Sequence, residues 1–210
     1  VVASVEEWTG AGAAVGAWST VNSMNTARKS LGGGGSATSA VAFGGNPSPN
    51  SALTESWNGS NWTEVSDLNT ARILMGIAGA SNTAALAFGG TSDPPNRAQT
   101  EDWNGSSWTE VNDLNTARNS AGSAGVVATA ALYFAGYTST TVAITEQWNG
   151  TNWTEVNDLN TGRYSITGGG TYTSALAYGG YTTTAQDSTE SWNGTNWTEV
   201  NDLNEGRYNF

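Results

Sequence analysis

Histidine and cysteine are both absent from this chain. Without histidine, no Ser-His or Cys-His catalytic pair can form. Without either residue, the usual ligands of zinc, copper and non-haem iron are missing. Disulfides are excluded too, so cysteine usage says nothing about redox compartment. Lysine occurs once, as Lys29, and charged residues make up 12% of the sequence, against about 25% in ordinary globular proteins. The formal charge is −11, which leaves no basic patch for nucleic acid or for an anionic membrane surface. No apolar run approaches about 18 residues, so no segment reads as a membrane-spanning helix. No signal peptide is recognisable at Val1, which fits a cleaved leader and also a virion protein that never used one.

What is present is a phrase written four times. It reads TESWNGSNWTEVSDLNTAR at 54–72 and TEDWNGSSWTEVNDLNTAR at 100–118. It returns as TEQWNGTNWTEVNDLNTGR at 145–163 and TESWNGTNWTEVNDLNEGR at 189–207. A worn copy runs from VEEW at 5–8 to WSTVNSMNTAR at 18–28. The closing arginines, Arg28, Arg72, Arg118, Arg163 and Arg207, lie 44, 46, 45 and 44 residues apart. A period of this length marks one supersecondary unit copied and stacked, because a lone unit cannot bury its own apolar face. Ten tryptophans in a chain so poor in charge argue for a folded protein.

Within the last complete unit, YSITGGGTYT is small and Gly-rich, SALAYGGY ends in Gly179–Gly180, STESW alternates, and NWTEVNDL opens near Trp197. Thr, Tyr, Trp and Val punctuated by Gly and Asn read as short strands. The Asn-Gly between paired tryptophans is a tight-turn signal, since both residues tolerate positive φ. No helical period occurs. The unit predicted is four antiparallel strands, a to d, the content of one β-propeller blade.

The details resemble the kelch repeat, which has a double glycine ending strand b, an aromatic on strand c and a Trp opening strand d. Here the glycine pairs are Gly44–Gly45, Gly89–Gly90 and Gly179–Gly180, with Ala135–Gly136 as the variant. The strand c aromatics are Trp57, Trp103, Trp148 and Trp192, where kelch repeats usually carry Tyr; the strand d residues are Trp62, Trp108, Trp153 and Trp197, and Trp8 and Trp18 are the worn pair. The resemblance implies an all-β kelch-type propeller of four-stranded antiparallel blades over 1–210. Its repeats are 1–28 (strands c and d alone), 29–72, 73–118, 119–163 and 164–207, with 208–210 starting a further strand. Five c–d hairpins against four a–b pairs leave three closures open: a five-blade ring with a thin seam, a fragment of a larger ring, or closure between chains. The family's copper oxidase activity needs His and cannot carry over.

Strict recurrence assigns the tryptophans to packing between blades. Glu6, Glu55, Glu101, Glu146 and Glu190, two residues before each strand c Trp, pair in register with the five arginines as a repeated structural ion pair. The NDLN aspartates Asp67, Asp113, Asp158 and Asp202 read as turn formers, although oxygen ligands for calcium are the other use of such residues. The Asn-x-Ser/Thr sequons, at Asn58, Asn61, Asn104, Asn149, Asn152, Asn193 and Asn196, are by-products of the same turn.

The b–c loops at 46–52, 91–99, 137–144 and 181–188 differ most between repeats, as expected of a binding surface on a constant scaffold. Candidate contacts are Asn50, Asp93, Arg97, Tyr137, Tyr181 and Asp187. The expectation is a non-catalytic structural or adhesive module on a virion or cell surface, without cofactor. Its partner is a protein or a surface glycan, and a neighbouring subunit or self-assembly covers the incomplete blade. Near-identical Trp/Asn/Thr-rich kelch repeats resemble those of marine bacteriophage and environmental bacterial surface proteins. A lectin-like propeller is the alternative, and recent duplication or engineering also explains the identity of 148–160 and 192–204.

Overall fold

A computed structural model describes residues 5–8, 18–92 and 94–209, with backbone alone at 5–8, 18 and 19. Every regular element among them is a strand. The hairpin β1 (Val5–Trp8) and β2 (Trp18–Val21) comes first. Four antiparallel four-stranded sheets follow, each in chain order. The first holds β3 (Gly32–Ser36), β4 (Ser39–Phe43), β5 (Thr54–Trp57) and β6 (Trp62–Val65). The second holds β7 (Gly76–Ser81), β8 (Ala84–Phe88), β9 (Thr100–Trp103) and β10 (Trp108–Val111). The third holds β11 (Gly122–Val127), β12 (Ala130–Phe134), β13 (Thr145–Trp148) and β14 (Trp153–Val156). The fourth holds β15 (Thr167–Thr171), β16 (Ser174–Tyr178), β17 (Thr189–Trp192) and β18 (Trp197–Val200). The four-strand repeat read from the sequence is therefore present, and the worn copy contributes the c–d hairpin alone.

The c–d turn works differently from the expectation. Gly59, Gly105, Gly150 and Gly194 take φ of +91° to +92°, but the preceding asparagines do not enter the positive-φ region. They act through the side chain instead. Asn149 Oδ1 accepts the backbone N–H groups of Thr151 and Asn152, both at 2.9 Å, and the other turns repeat this. The asparagine is an Asx-turn acceptor and the glycine alone supplies the unusual dihedral.

The apolar cores lie between sheets. Val41, Phe43 and Leu68 of the first repeat pack with Ala85, Ala87, Trp103 and Trp108 of the second. The second meets the third, and the third the fourth, through the equivalent residues. The first strands are glycine-rich because the last aromatic of the second strand lies over them. A Cβ at Gly76 would meet the Phe88 ring at 2.2 Å, and one at Gly122 the Phe134 ring at 2.3 Å.

The first strands also adjoin one another in the order β3, β7, β11, β15. Leu31, Met75, Ala121 and Ile166, one from each repeat, line a single cavity of about 190 Å³. The four sheets thus face a shared axis, an arrangement consistent with a propeller-like repeat fold. A backbone ladder crosses them at the d–a corners: Leu74 N–H bonds Ser30 C=O at 3.2 Å, Ser120 bonds Leu74 at 3.1 Å, Ser165 bonds Ser120 at 2.7 Å, and Asn209 bonds Ser165 at 3.4 Å. All five corner residues hold φ between 50° and 56°, a conformation that costs a non-glycine residue roughly 1–2 kcal/mol. The sheet-to-sheet bonds and packing offset it. Tyr208 and Asn209 are irregular, Asn209 occupying the corner position; Phe210 lies outside the described residues.

Candidate functional site

The recurring residues build the joints between sheets. Four of the five closing arginines pair with the glutamate of the following repeat: Arg28–Glu55 and Arg72–Glu101 at 3.0 Å, Arg163–Glu190 at 2.7 Å, and Arg118–Glu146 in direct contact. All eight side chains are buried. The second carboxylate oxygen of each glutamate accepts the backbone N–H of the asparagine three residues before the arginine, from Asn25, Asn69, Asn115 and Asn160, at 2.7–2.8 Å. The guanidinium groups also donate to strand carbonyls: Arg118 reaches Ala135 O at 3.1 Å and Tyr133 O at 2.8 Å and lies 4.5 Å over the Tyr133 ring. Desolvation lowers the pKa of Arg28 and Arg72, with Glu55 and Glu101 opposing it. Such pairs fix how one sheet docks on the next and add little net stability.

The tryptophans complete the joints. The strand c indoles donate to the a–b turn of their own sheet: Trp57 to Ala37 O, Trp103 to Asn82 O, Trp148 to Ala128 O and Trp192 to Tyr172 O, at 2.7–3.1 Å. The strand d indoles reach back to the preceding sheet: Trp108 donates to Thr54 Oγ1 at 3.0 Å, Trp153 to Thr100 Oγ1 at 2.9 Å and Trp197 to Thr145 Oγ1 at 3.1 Å. Their rings meet Phe43, Phe88 and Phe134 edge-on at 4.8–4.9 Å. The aspartates cap strands: Asp67, Asp113, Asp158 and Asp202 accept the backbone N–H of Thr54, Thr100, Thr145 and Thr189 at 3.0–3.2 Å. Glu6, Trp8 and Trp18 have their backbone in β1 and β2; their side chains lie outside the described residues.

The nominated loop residues do not form one cluster. The b–c and d–a segments share one end of the sheets, bridged at Lys29–Asn46, Ile73–Thr91, Asn119–Tyr137 and Tyr164–Tyr181. Asn50 accepts from Asn46 Nδ2 at 2.8 Å and lines a hollow of about 340 Å³ with Pro49, Ala71 and Ser92. Arg97 bonds Ser92 Oγ through Nε at 2.9 Å and so is tied down within its own loop. Asp187 is exposed, and Asp93 lies outside the described residues. Tyr137 is 38% exposed and lines a second hollow of about 550 Å³ with Asn96, Asn119 and Thr138. Asn96 Nδ2 holds that rim by donating to Tyr137 O at 3.1 Å and Thr138 O at 2.7 Å, and Asn119 Nδ2 donates to Asn96 Oδ1 at 2.6 Å.

Tyr137 and Tyr181 do belong together, through two residues that the loop comparison missed. Tyr137 meets Tyr164 at 5.4 Å, Tyr164 meets Tyr181 at 5.6 Å, and Tyr181 meets Tyr208 at 5.0 Å between ring centroids. Tyr164 and Tyr208 each follow a closing arginine directly, and earlier repeats place Lys29, Ile73 and Asn119 at that position. Variation directly after an invariant arginine was the available signal. No protein-family model matches the sequence, and no curated protein aligns with it significantly.

Proposed function

We propose that the chain is a non-catalytic structural or adhesive module, displayed on a virion or cell surface. In this reading the four sheets are blades of a kelch-type propeller with five positions, and the b–c end carries the contact face. The observation behind it is the tyrosine run Tyr137–Tyr164–Tyr181–Tyr208. The c–d segments repeat almost to the letter, but along this end the first repeats carry Lys29, Asn46, Ile73 and Thr91 where the later ones carry tyrosine. A constant frame with a local departure at loop ends is where a ligand leaves its mark on a repeat protein.

Catalysis has no support in the side chains. The strand c glutamates Glu55, Glu101, Glu146 and Glu190 are engaged in joints and the recurring aspartates in strand caps, while the strand d glutamates Glu64, Glu110, Glu155 and Glu199 lie singly on the exposed strand surface. Histidine, the commonest partner of a Ser or Thr nucleophile, does not occur.

A carbohydrate ligand is the second reading, favoured by the adjacency of exposed Tyr137 to the hollow lined by Asn96, Asn119 and Thr138. Aromatic faces beside amide and hydroxyl groups suit a sugar's apolar and polar sides. Tyr137→Ala and Tyr208→Ala should together abolish retention on bacterial envelope preparations, with the melting temperature unchanged. Competition by free oligosaccharide selects the carbohydrate reading. Unchanged retention, or saturable turnover of glycan or ester substrates, contradicts the proposal.

A further inference from the structure

The tyrosine run starts at a hollow and leaves it in even steps. Tyr137 lines the hollow between the second and third sheets together with Ile73, Leu74 and Pro94. From there the ring centroids follow one another at 5.4, 5.6 and 5.0 Å, through Tyr164 and Tyr181 to Tyr208. The two end rings are the most open of the four, Tyr137 at 38% and Tyr208 at 46% exposed, and the inner two are half-buried. The scaffold does not require these rings. Lys29–Asn46 and Ile73–Thr91 make the same backbone bridge as Asn119–Tyr137 and Tyr164–Tyr181, with no aromatic side chain in either pair.

The side chains lining the hollow are apolar, amide, hydroxyl or phenol, and none is ionised at neutral pH. Its polar rim is set before any ligand arrives. Asn96 spends both amide hydrogens on Tyr137 O and Thr138 O and accepts from Asn119 Nδ2 at 2.6 Å. Asn119 keeps a second amide hydrogen, unbonded among the described residues, for a hydroxyl in the hollow. Farther along the run, Gln186 Nε2 ties the loop after Tyr181 together by donating to Thr182 Oγ1 and Thr184 Oγ1, both at 3.1 Å. Asp93, next to Pro94, lies outside the described residues, and an acid there gives an anion no foothold. The net charge of −11 works in the same direction.

Resting on the carbohydrate reading, we infer that this surface takes an uncharged, extended β-1,4-linked glycan. Its end ring sits in the hollow against Tyr137, and one further sugar lies against each of Tyr164, Tyr181 and Tyr208. The spacing carries the inference. Steps of 5.0–5.6 Å match the advance per sugar of a β-1,4-linked pyranose chain. That chain is nearly straight, because both of its glycosidic bonds leave each ring equatorially. An α-1,4-linked chain coils, and its rings fall out of step with an aromatic row. Pyranose rings present C–H faces to the aromatics and hydroxyls to the side, where the loop amides and hydroxyls stand. The site is four sugars long, one for each tyrosine.

The experiment is titration calorimetry of the full chain with oligosaccharides of increasing length. Cello- and chito-oligosaccharides supply the β-1,4-linked series, maltooligosaccharides the α-linked counterpart and β-1,4-linked oligomannuronates the acidic one. In at least one neutral β-linked series the association constant should rise about three- to tenfold with each sugar up to the tetramer, then level off. The α-linked and acidic tetramers should bind at least about tenfold more weakly. Tyr208→Ala, at the open end of the run, should keep trimer binding within about twofold of the parent and remove only the last increment. Its melting temperature should match the parent's. Affinity that does not grow with length, α-linked or acidic tetramers that bind as well, or a variant that keeps the parent's last increment overturns the inference and leaves the carbohydrate reading standing. No binding in any series, at any length, overturns both.

Discussion

Residues 148–160 and 192–204 are the same thirteen-residue string, WNGTNWTEVNDLN, and they do not have the same environment. Leu159 is 3% exposed and its twin Leu203 is half-buried; Val156 is half-buried and its twin Val200 is 42% exposed. The tryptophans show no such split: Trp148 and Trp153 are 2% and 6% exposed, Trp192 and Trp197 1% and 6%. The difference separates two faces of one unit. The tryptophans look back to the preceding sheet, which both copies possess. The leucine, the valine and the closing arginine look forward, and the fourth sheet lacks a described sheet there. Burial in this chain is conferred by the neighbour and not by the local sequence, as nearest-neighbour stacking of repeats requires.

The largest test of that division uses the backward face. Trp148→Ala and Trp192→Ala should each cost about 3–5 kcal/mol in urea unfolding. Near-equal losses support the division, and a much smaller loss at Trp192 breaks it. The forward face should behave oppositely. Leu132→Ala should cost about 2–5 kcal/mol, and Leu176→Ala, at the same place in the fourth sheet, under about 1 kcal/mol. Equal losses would mean that the fourth sheet is covered as fully as the third.

The third test is chemical. Tyr133 is fully buried in the joint between the second and third sheets, its hydroxyl donating to Arg118 O at 3.2 Å. Burial pushes its pKa from 10.0 up to about 12. The unfolded chain therefore loses this proton first as pH rises. The stability it contributes is intact below pH 10 and falls by about 1.4 kcal/mol per unit until pH 12, roughly 3 kcal/mol in all. Tyr133→Phe should flatten that part of the stability profile. A profile unchanged by the substitution would show that the hydroxyl titrates as in water.

The smallest effect is a gain. Trp62 Nε1 is buried without a partner, and the position that offers Thr54, Thr100 or Thr145 to the other strand d indoles is Val5 in β1. Val5→Thr should raise stability by about 1 kcal/mol by supplying the hydroxyl. No gain would mean that the hairpin meets the first sheet in another register.

Much of this was legible in the sequence. The strands of the last unit fall where Gly179–Gly180, Trp192 and Trp197 place them, because turn and aromatic residues punctuate short strands directly. The recurrence of Glu and Arg announced an ion pair. It could not say which ones pair, since in a periodic chain Arg72 is as regularly spaced from Glu55 as from Glu101. Contact with the following repeat is a property of the stacking. The corner ladder was illegible for another reason: Ser30, Leu74, Ser120 and Ser165 are not residues that favour positive φ, and the bonds between sheets hold them there. The tyrosine run was half visible. Tyr137 and Tyr181 stood out as variable-loop residues, but Tyr164 and Tyr208 sit on the d–a corners, and only the fold brings those corners beside the b–c loops.

Hydrogen exchange of the tryptophan indoles, resolved by NMR, tests most directly the claim that the joints between the sheets are built alike, each strand d indole reaching back to a threonine. Trp108, Trp153 and Trp197 should show strong protection, since each indole is bonded to a threonine in the preceding sheet. The three should exchange within about tenfold of one another, a gap of about 1.4 kcal/mol in opening free energy. Any one of the three indoles exchanging at the rate of a free side chain, while the other two remain protected, would contradict the account.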